Sequence, residues 1–384
     1  MTEICKQKEC TGCAACFNSC NHGAITMEPD ECGYLYPSIN QEKCIDCGLC
    51  KKACPVNSLQ QLLYPIDSIA ATVVNDEELI KCASGGIATL LSHKIIKYGG
   101  VVYGCDGTDI RNVHHERKET FESLNDLKES KYVQSSIGTS YKMIKKDLLC
   151  GRKVLFLGTP CQVAGLYGYL QGKKYENLIT VDLVCHGVPS QKMLNDNLNC
   201  YSKEEDFVDV KFREKWVNPK NESESRIKYC WNMKKSKTQD IVKVSPMRDP
   251  FMIGFLSCLT IRENCYTCRY ACIARVADIT LSDYWGLSDN SQFDKGKGVS
   301  NVLINTEKGL KLWNECSENA KWERRTIVEA LSGNGQLQAP SARHPKHEKF
   351  VKIYPVVGFK AAVKKCSYKF LLIHYLKSIY KKLM

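Results

Sequence analysis

Four closely spaced cysteines stand near the start of this 384-residue chain, in the run Cys10-Thr-Gly-Cys13-Ala-Ala-Cys16-Phe-Asn-Ser-Cys20. A second stretch, Cys44-Ile-Asp-Cys47-Gly-Leu-Cys50-Lys-Lys-Ala-Cys54, repeats its pattern. Both read C-x2-C-x2-C-x3-C, a spacing that binds 4Fe-4S cubes, and the fourth cysteine of each run then binds the other run's cube. We therefore predict two clusters with these ligands: Cys10, Cys13, Cys16 and Cys54 for cluster one, and Cys44, Cys47, Cys50 and Cys20 for cluster two.

Zinc and disulfides are the alternatives for these cysteines. Structural zinc usually takes separated C-x2-C pairs and has no need of a third cysteine at the same step. Disulfides need an oxidising compartment, and the first residues lack the apolar core of a signal peptide. One departure from the usual pattern is Asn21, which follows Cys20 where proline is common, as in Cys54-Pro55. We predict a small two-cluster ferredoxin-like domain over residues 1–60.

The totals describe an ordinary globular protein with unusual cysteine content. The chain is 43% hydrophobic and 25% charged, and it contains 23 cysteines, far more than a typical cytosolic chain has without metal. No apolar run approaches the roughly 20 residues of a spanning helix, so we expect a cytoplasmic protein.

The net charge of +12 is concentrated at the carboxyl end. Residues 356–384 hold seven lysines and no acidic residue, so the rest of the chain is only mildly basic and nucleic-acid binding is not predicted. We treat residues 341–384 as a basic amphipathic tail. It would contact an anionic membrane surface or a partner, or else pack its apolar side on the domain.

Between these ends, strand and helix patterns alternate. Apolar strands are predicted over 69–74, 101–105, 153–157 and 178–184, and helices over 87–96, 137–149 and 162–170. This order predicts fold class α/β (α+β), with a mainly parallel sheet. We divide the region into residues 68–150 and 151–340.

Three further motifs could carry chemistry. Ser84-Gly85-Gly86 opens a helix, where it forms either a phosphate site or a plain cap with Ser84 as N-cap residue.

Cys161 and Cys185 follow predicted strands, at the edge where α/β sheets bind ligands. With the pair Cys265 and Cys268 they would make a third quartet, but Cys258, Cys265, Cys268 and Cys272 form an equally countable set that could also hold zinc. The spacing of the cysteines does not decide between these two sets of ligands.

An ordered series of motifs resembles the coenzyme F420 hydrogenase/dehydrogenase beta-subunit family. The series is Ser84-Gly-Gly, Lys131-Tyr-Val-Gln-Ser135, Gly158-Thr-Pro-Cys-Gln162, Cys185-His-Gly187, Arg262-Glu-Asn-Cys-Tyr-Thr-Cys268, Ala277-Asp-Ile279 and Asp283-Tyr-Trp-Gly286. The resemblance covers roughly residues 69–305. It implies an iron–sulfur flavoprotein that binds FAD beside a 4Fe-4S cluster, with residues 68–150 contributing to the FAD site and 151–340 holding the third cluster and active site.

The resemblance also implies roles for single residues. Ser84, Gly85 and Gly86 would lie on the FAD, with Lys131 and Gln134 nearby. The third cluster would take Cys161, Cys185, Cys265 and Cys268 as ligands. His186, Asp283 and Lys131 are the catalytic candidates. Ser282 stands where the family usually has a glycine before Asp283.

Three functions remain open at this point. The first is an FAD- and 4Fe-4S-dependent oxidoreductase that exchanges electrons with reduced coenzyme F420, ferredoxin or a nicotinamide. The second is a non-catalytic electron-transfer subunit that relays electrons to a redox partner protein. The third is a cysteine-rich zinc scaffold.

Overall fold

A computed structural model describes residues 3–202, 205–216 and 226–367. Its α-helices are α1 (Ala15–Ser19), α2 (Leu49–Ala53), α3 (Asp76–Ile80), α4 (Ile87–Lys97), α5 (Ser140–Leu149), α6 (Pro160–Tyr169), α7 (Gln191–Leu198), α8 (Pro250–Leu256), α9 (Glu307–Cys316), α10 (Ile327–Gly333) and α11 (His347–Val357). Its strands are β1 (Ile25–Pro29), β2 (Leu35–Ile39), β3 (Asp67–Val73), β4 (Val101–Asp106), β5 (His114–Lys118), β6 (Val154–Gly158), β7 (Leu178–Leu183), β8 (Phe207–Trp216), β9 (Arg226–Lys235), β10 (Ile241–Val244), β11 (Ile279–Asp283), β12 (Ser300–Ile304) and β13 (Ala320–Arg324).

The amino-terminal part is a small ferredoxin-like unit. Helices α1 and α2 each begin within a cysteine motif, and the antiparallel hairpin of β1 and β2 lies between them in the chain, with Ile25 opposite Ile39. Ile4 and Ile25 pack with cysteines of both motifs in one apolar cluster. The predicted two-cluster unit is therefore present as a fold.

The main domain is built on an eight-stranded sheet in the order β13-β3-β12-β11-β7-β6-β4-β5. The neighbours β4, β6, β7 and β11 run parallel, whereas the flanking pairs are antiparallel. Because β3 is antiparallel to β12 and β12 to β11, five of the eight strands point in one direction. The predicted α/β domain with a mainly parallel sheet is confirmed. Of the three strands that run the other way, β12 lies between β3 and β11, and β5 and β13 form the two edges of the sheet.

Burial of both sheet faces explains the apolar strand sequences. On one face, α4 and α9 cover the sheet through Leu91, Ile95 and Trp313. On the other face, α5 and α6 pack through Tyr141, Ile144 and neighbouring apolar residues of the same two helices. Strands covered on both sides read as continuous apolar runs, which is why 153–157 was recognisable from sequence.

A second, three-stranded antiparallel sheet in the order β10-β9-β8 closes one side of the molecule. Its core contains Trp231 and Phe251, and it also includes Tyr34 from the amino-terminal hairpin and Phe350 and Tyr354 from α11. The first part of the predicted tail thus packs in the core, whereas the lysine-rich stretch 368–384 lies outside the described residues. In the ranges that the structure describes, no helix is long and apolar enough to cross a membrane.

Strand direction brings the predicted site residues to one edge. The carboxyl ends of β4, β6, β7 and β11 lie together because the strands are parallel. Cys161 begins α6 directly after β6, Cys185 follows β7, and Asp283 ends β11. The chemistry-bearing motifs are therefore gathered where ligands bind in α/β sheets.

Candidate iron–sulfur sites

Four cysteines from the two ends of the ferredoxin-like unit surround one cavity. They are the residues predicted for cluster one: Cys10, Cys13, Cys16 and Cys54. Cys13, Cys16 and Cys54 are buried. A fifth cysteine, Cys5, also lines the cavity, and it is hydrogen-bonded to Cys10 and Cys54. Sequence reasoning did not single out Cys5, because it lies outside the repeated motif.

The quartet predicted for cluster two surrounds a separate cavity. Its members are Cys20, Cys44, Cys47 and Cys50. Cys47 is exposed, and Ile45 beside it is 64% exposed. The cysteines of this quartet are therefore more exposed than those predicted for cluster one.

Both motifs share an alternating left-handed backbone. Ala14 in the first loop and Asp46 in the second adopt φ of 57° and 54°. The equivalent positions in the other loop are left-handed glycines: Gly48 corresponds to Ala14, and Gly12 corresponds to Asp46. A left-handed non-glycine residue costs on the order of 1–3 kcal/mol and persists only where its surroundings enforce it. The same conformation in two loops curls each run of three cysteines around its cavity.

A third cavity is lined by cysteines that are distant in sequence. It is surrounded by Cys161, Cys185, Cys265 and Cys268, together with Gln134 and Ser341. Cys161 is held at the start of α6 by a capping box between Thr159 and Gln162. The structure therefore brings together the quartet that the family resemblance implied.

The rival quartet is not gathered around this cavity. The Cys258 thiol lies 3.3 Å from His186 Nε2, and the Cys272 thiol hydrogen-bonds the carbonyl oxygens of Arg269 and Ala274. Neither lines the cavity that Cys265 and Cys268 share with Cys161 and Cys185. The structure thus distinguishes between the two candidate ligand quartets, which the spacing of the cysteines in the sequence could not.

Burial governs the protonation of the cysteine thiols that line these cavities. Burial raises the pKa of Cys13 and of Cys161 to about 12, and that of Cys185 to about 11. A buried thiolate needs a nearby positive charge, which a bound metal supplies. Within the described residues, no three His, Cys, Asp or Glu side chains converge as ligands of a single ion. The quartets instead surround cavities, and four soft sulfur donors fit iron–sulfur cubes.

Helix α6 joins the third cavity to cluster one. A Cβ on Gly165 would lie 2.9 Å from the Cys13 sulfur, and one on Gly168 would lie 2.2 Å from the Ala53 carbonyl oxygen. Gly165 is one turn along α6 from Cys161, about 6 Å along the helix axis. The two glycines thus allow the ferredoxin-like unit to contact the helix that carries Cys161.

The Ser84-Gly85-Gly86 turn has clear packing roles. The Ser84 hydroxyl donates to the Val299 carbonyl, so it does not cap α4, and Gly86 with φ of 82° is the N-cap residue instead. A Cβ on Gly85 would lie 2.3 Å from the Ala71 carbonyl oxygen. The prediction that Ser84 is the N-cap is therefore wrong, because its hydroxyl is used to join the turn to the sheet.

Lys131 and Gln134, predicted near the flavin, are also engaged. The Lys131 ammonium donates to the carbonyls of Cys105, Asp126 and Lys128, and burial lowers its pKa. The Gln134 amide donates to the Thr11 carbonyl at 2.8 Å. Gln134 lines the third cavity, whereas Lys131 does not. Of these two residues, only Gln134 therefore borders the third cavity.

The remaining catalytic candidates are paired within the protein. His186 Nε2 lies 3.2 Å from the Phe255 carbonyl, and burial lowers the pKa of the imidazole. Asp283 accepts two hydrogen bonds from Arg213, at 2.9 and 3.2 Å. Trp285, two residues after Asp283, is 49% exposed.

Comparison with known proteins adds two matched segments. Residues 151–330 match the family described as coenzyme F420 hydrogenase/dehydrogenase, carboxyl terminus of the beta subunit. Residues 9–58 match the 4Fe-4S dicluster domain. No curated protein matches the chain.

A similar solved structure is a chain of the F420-reducing NiFe hydrogenase complex from Methanosarcina barkeri, studied by xenon derivatization. The TM-score is 0.46 and the identity 16%, over 76% of this chain and 92% of that chain. The chain therefore carries the carboxyl-terminal part of the coenzyme F420 hydrogenase/dehydrogenase beta-subunit family over residues 151–330, together with a 4Fe-4S dicluster domain over residues 9–58.

Proposed function

We propose that the chain is an iron–sulfur flavoprotein oxidoreductase with three 4Fe-4S clusters and FAD. The observation that carries this proposal is the third cavity, where Cys161, Cys185, Cys265 and Cys268 meet although the chain separates them widely. The two amino-terminal quartets supply the other two sites. When bound, such cubes accept and release single electrons at potentials that the surrounding protein sets.

The arrangement supports a linear relay. Cluster one lies between the third cavity, which it approaches along α6, and cluster two, whose Cys47 is exposed. The chain's own contribution would be to hold the three sites in this order and to bury three of the four cysteines of cluster one. Electron exchange with an external protein would then take place at the cluster-two side.

FAD is proposed from the family resemblance rather than from free polar groups of this chain. Its place would be the carboxyl edge of the sheet near Ser84, Gly85 and Gly86, with Lys131 and Gln134 in the neighbourhood. The donor or acceptor at that site would be reduced coenzyme F420, a ferredoxin or a nicotinamide. A flavin suits the exchange because it takes either one or two electrons.

A second candidate function is a non-catalytic subunit that relays electrons to a partner enzyme. The observation that favours it is that His186, Asp283 and Lys131 are each engaged with protein groups. A relay needs no acid or base catalyst, so side chains that are bonded to other protein groups are compatible with this function.

The test begins with protein purified without oxygen, in which iron, sulfide, zinc and released flavin are measured per chain. About twelve irons with one FAD support the three-cluster flavoprotein, since each cube holds four irons. Cys161→Ser should lower the iron content by about four per chain, whereas Cys272→Ser should leave it unchanged. Eight irons without flavin would contradict the flavoenzyme and leave a two-cluster relay.

Substrate turnover then separates the two candidates. If reduced coenzyme F420 or NADH bleaches the flavin of the isolated chain, the chain is the oxidoreductase itself. If only a one-electron donor reduces the clusters, the relay function is favoured.

A further inference from the structure

Arg262 is a buried cation with an unusual set of partners. It is 1% exposed and lies directly before the turn that carries Cys265. Its guanidinium donates to the Cys10 carbonyl at 2.8 Å, the Leu35 carbonyl at 3.0 Å and the Gln134 amide oxygen at 3.3 Å. The bonds to Cys10 and Leu35 join the ferredoxin-like unit to the main domain, and the bond to Gln134 lies within the main domain.

None of these partners carries a formal charge. The rings of Tyr36 and Tyr34 lie 4.2 and 5.4 Å from the guanidinium carbon, which adds attraction but no counter-charge. Among the ion pairs of the described residues, Arg262 has no carboxylate partner. By contrast, the other deeply buried arginine, Arg275, pairs with Asp182 at 3.0 Å.

A buried cation without a counter-charge is costly, because desolvation is not offset by an opposite charge. Arg262 is always protonated, so it cannot escape that cost by losing its proton. The structure must therefore supply negative charge close to this guanidinium.

The nearest source of negative charge is the cysteine quartets. The guanidinium packs against the first cysteine motif, where a Cβ on Gly12 would lie 2.9 Å from its Nη1 atom. It is close enough to the Cys10 thiol and to the Cys161 thiol of the third cavity for its charge to act on both. The Arg262 carbonyl accepts from the Cys265 amide at 2.9 Å. The cation thus lies between two cavities whose thiolates are anionic once they bind metal.

We propose that Arg262 is the buried counter-charge of the iron–sulfur sites at Cys10 and Cys161, and that it raises their reduction potentials. Adding an electron makes a site more negative, and a cation in a buried, weakly screened position favours that reduced form. The inference rests on the proposed function, because it requires clusters in both cavities. It makes Arg262 a positioning residue that acts through charge.

The test uses anaerobic full-length protein and a redox titration followed by electron paramagnetic resonance. Arg262→Gln should keep the iron content but lower the midpoint potential of at least one inner cluster and leave cluster two unchanged. Arg262→Lys keeps the charge and should restore most of the wild-type value. Arg269→Gln is the matched control, because Arg269 follows Cys268 but is exposed.

The outcomes separate this inference from the proposed function. If the wild type contains no third cluster, the proposed function fails at the iron measurement. If the clusters are present but the titrations of Arg262→Gln and wild type coincide, only the role of Arg262 is overturned. The same holds if Arg262→Lys and Arg262→Gln shift equally, which would indicate a hydrogen-bonded clamp without a charge effect.

If Arg262→Gln loses its iron, the potentials of Arg262→Lys decide the matter. This change keeps the positive charge but alters the hydrogen-bonding geometry of the side chain. Inner-cluster potentials near those of the wild type support the proposal, and lowered potentials overturn it.

Discussion

Cys5 lies outside the repeated motif but lines the cavity of the quartet predicted for cluster one. Its single thiol proton is shared with the Cys10 and Cys54 sulfurs, and this hydrogen bonding raises the pKa of Cys5 far above its usual range. The same bonds lower the pKa of Cys10 to about 6 and that of Cys54 to about 7. Cys5 thus favours the thiolate forms of two predicted ligands without being needed as a ligand itself.

We expect Cys5→Ala to retain the full iron content and to lower the potential of cluster one. Hydrogen bonds to cluster sulfurs stabilise the reduced, more negative state, so their loss disfavours it. The measurement is an iron assay followed by a redox titration, with Cys150→Ala as control because Cys150 is an exposed cysteine that lines none of the three cavities. A loss of about four irons per chain would show instead that Cys5 is a ligand.

At this scale, local patterns predict only part of a site. The eight amino-terminal cysteines could be assigned because short spacing limits which thiols can surround one cube. The third quartet could not be chosen from spacing, because Cys161 and Cys185 meet Cys265 and Cys268 only through the order of strands in the sheet. Arg262 opens one of the motifs, but its partners could not be predicted locally because they come from residues 10–35 and 134.

At the scale of elements, strands covered on both faces were predictable and peripheral ones were not. Strand β6 is buried along most of its length, and its position agrees with the prediction within a residue. The edge strand β13 reads Ala-Lys-Trp-Glu-Arg and is mostly exposed, so it lacks an apolar run. The β1–β2 hairpin was missed for the same reason, because most of its residues are only partly buried.

Helix α6 is the element on which the two domains meet, and Gly168 tests that contact. Gly168→Ala should push the ferredoxin-like unit away, because the added Cβ would lie 2.2 Å from the Ala53 carbonyl. Overpacking of this kind costs roughly 1–3 kcal/mol. We expect a lower apparent melting temperature and faster proteolysis between residues 58 and 66.

The control for this contact is Gly335→Ala, where an added Cβ meets open space. That variant should melt like the wild type. If Gly168→Ala also melts like the wild type and resists proteolysis equally, the contact between α6 and the ferredoxin-like unit contributes little to stability.

At the scale of the whole molecule, the domains predicted from sequence share their interiors. Tyr34 of the ferredoxin-like unit donates to the Thr260 carbonyl at 2.8 Å and lies in the same core as Phe350 and Tyr354 of α11. The amino- and carboxyl-terminal parts of the described chain therefore stabilise one another. Composition could suggest boundaries near residues 60 and 340, but it could not reveal packing between residues so far apart in sequence.

This arrangement leads to a prediction about where electrons enter or leave. The double change Cys44→Ser and Cys47→Ser should remove cluster two, about four irons per chain, and leave the inner clusters in place. Exchange with a ferredoxin-sized carrier should slow by more than an order of magnitude, because cluster one is buried and a protein cannot approach it closely. Exchange with a small viologen should slow less, since such a molecule can reach inner sites.

Stopped-flow absorbance measures both rates, and Cys150→Ser is the control. Equal slowing with both carriers would contradict a relay that ends at cluster two, and would place the exchange surface beside the third cavity instead.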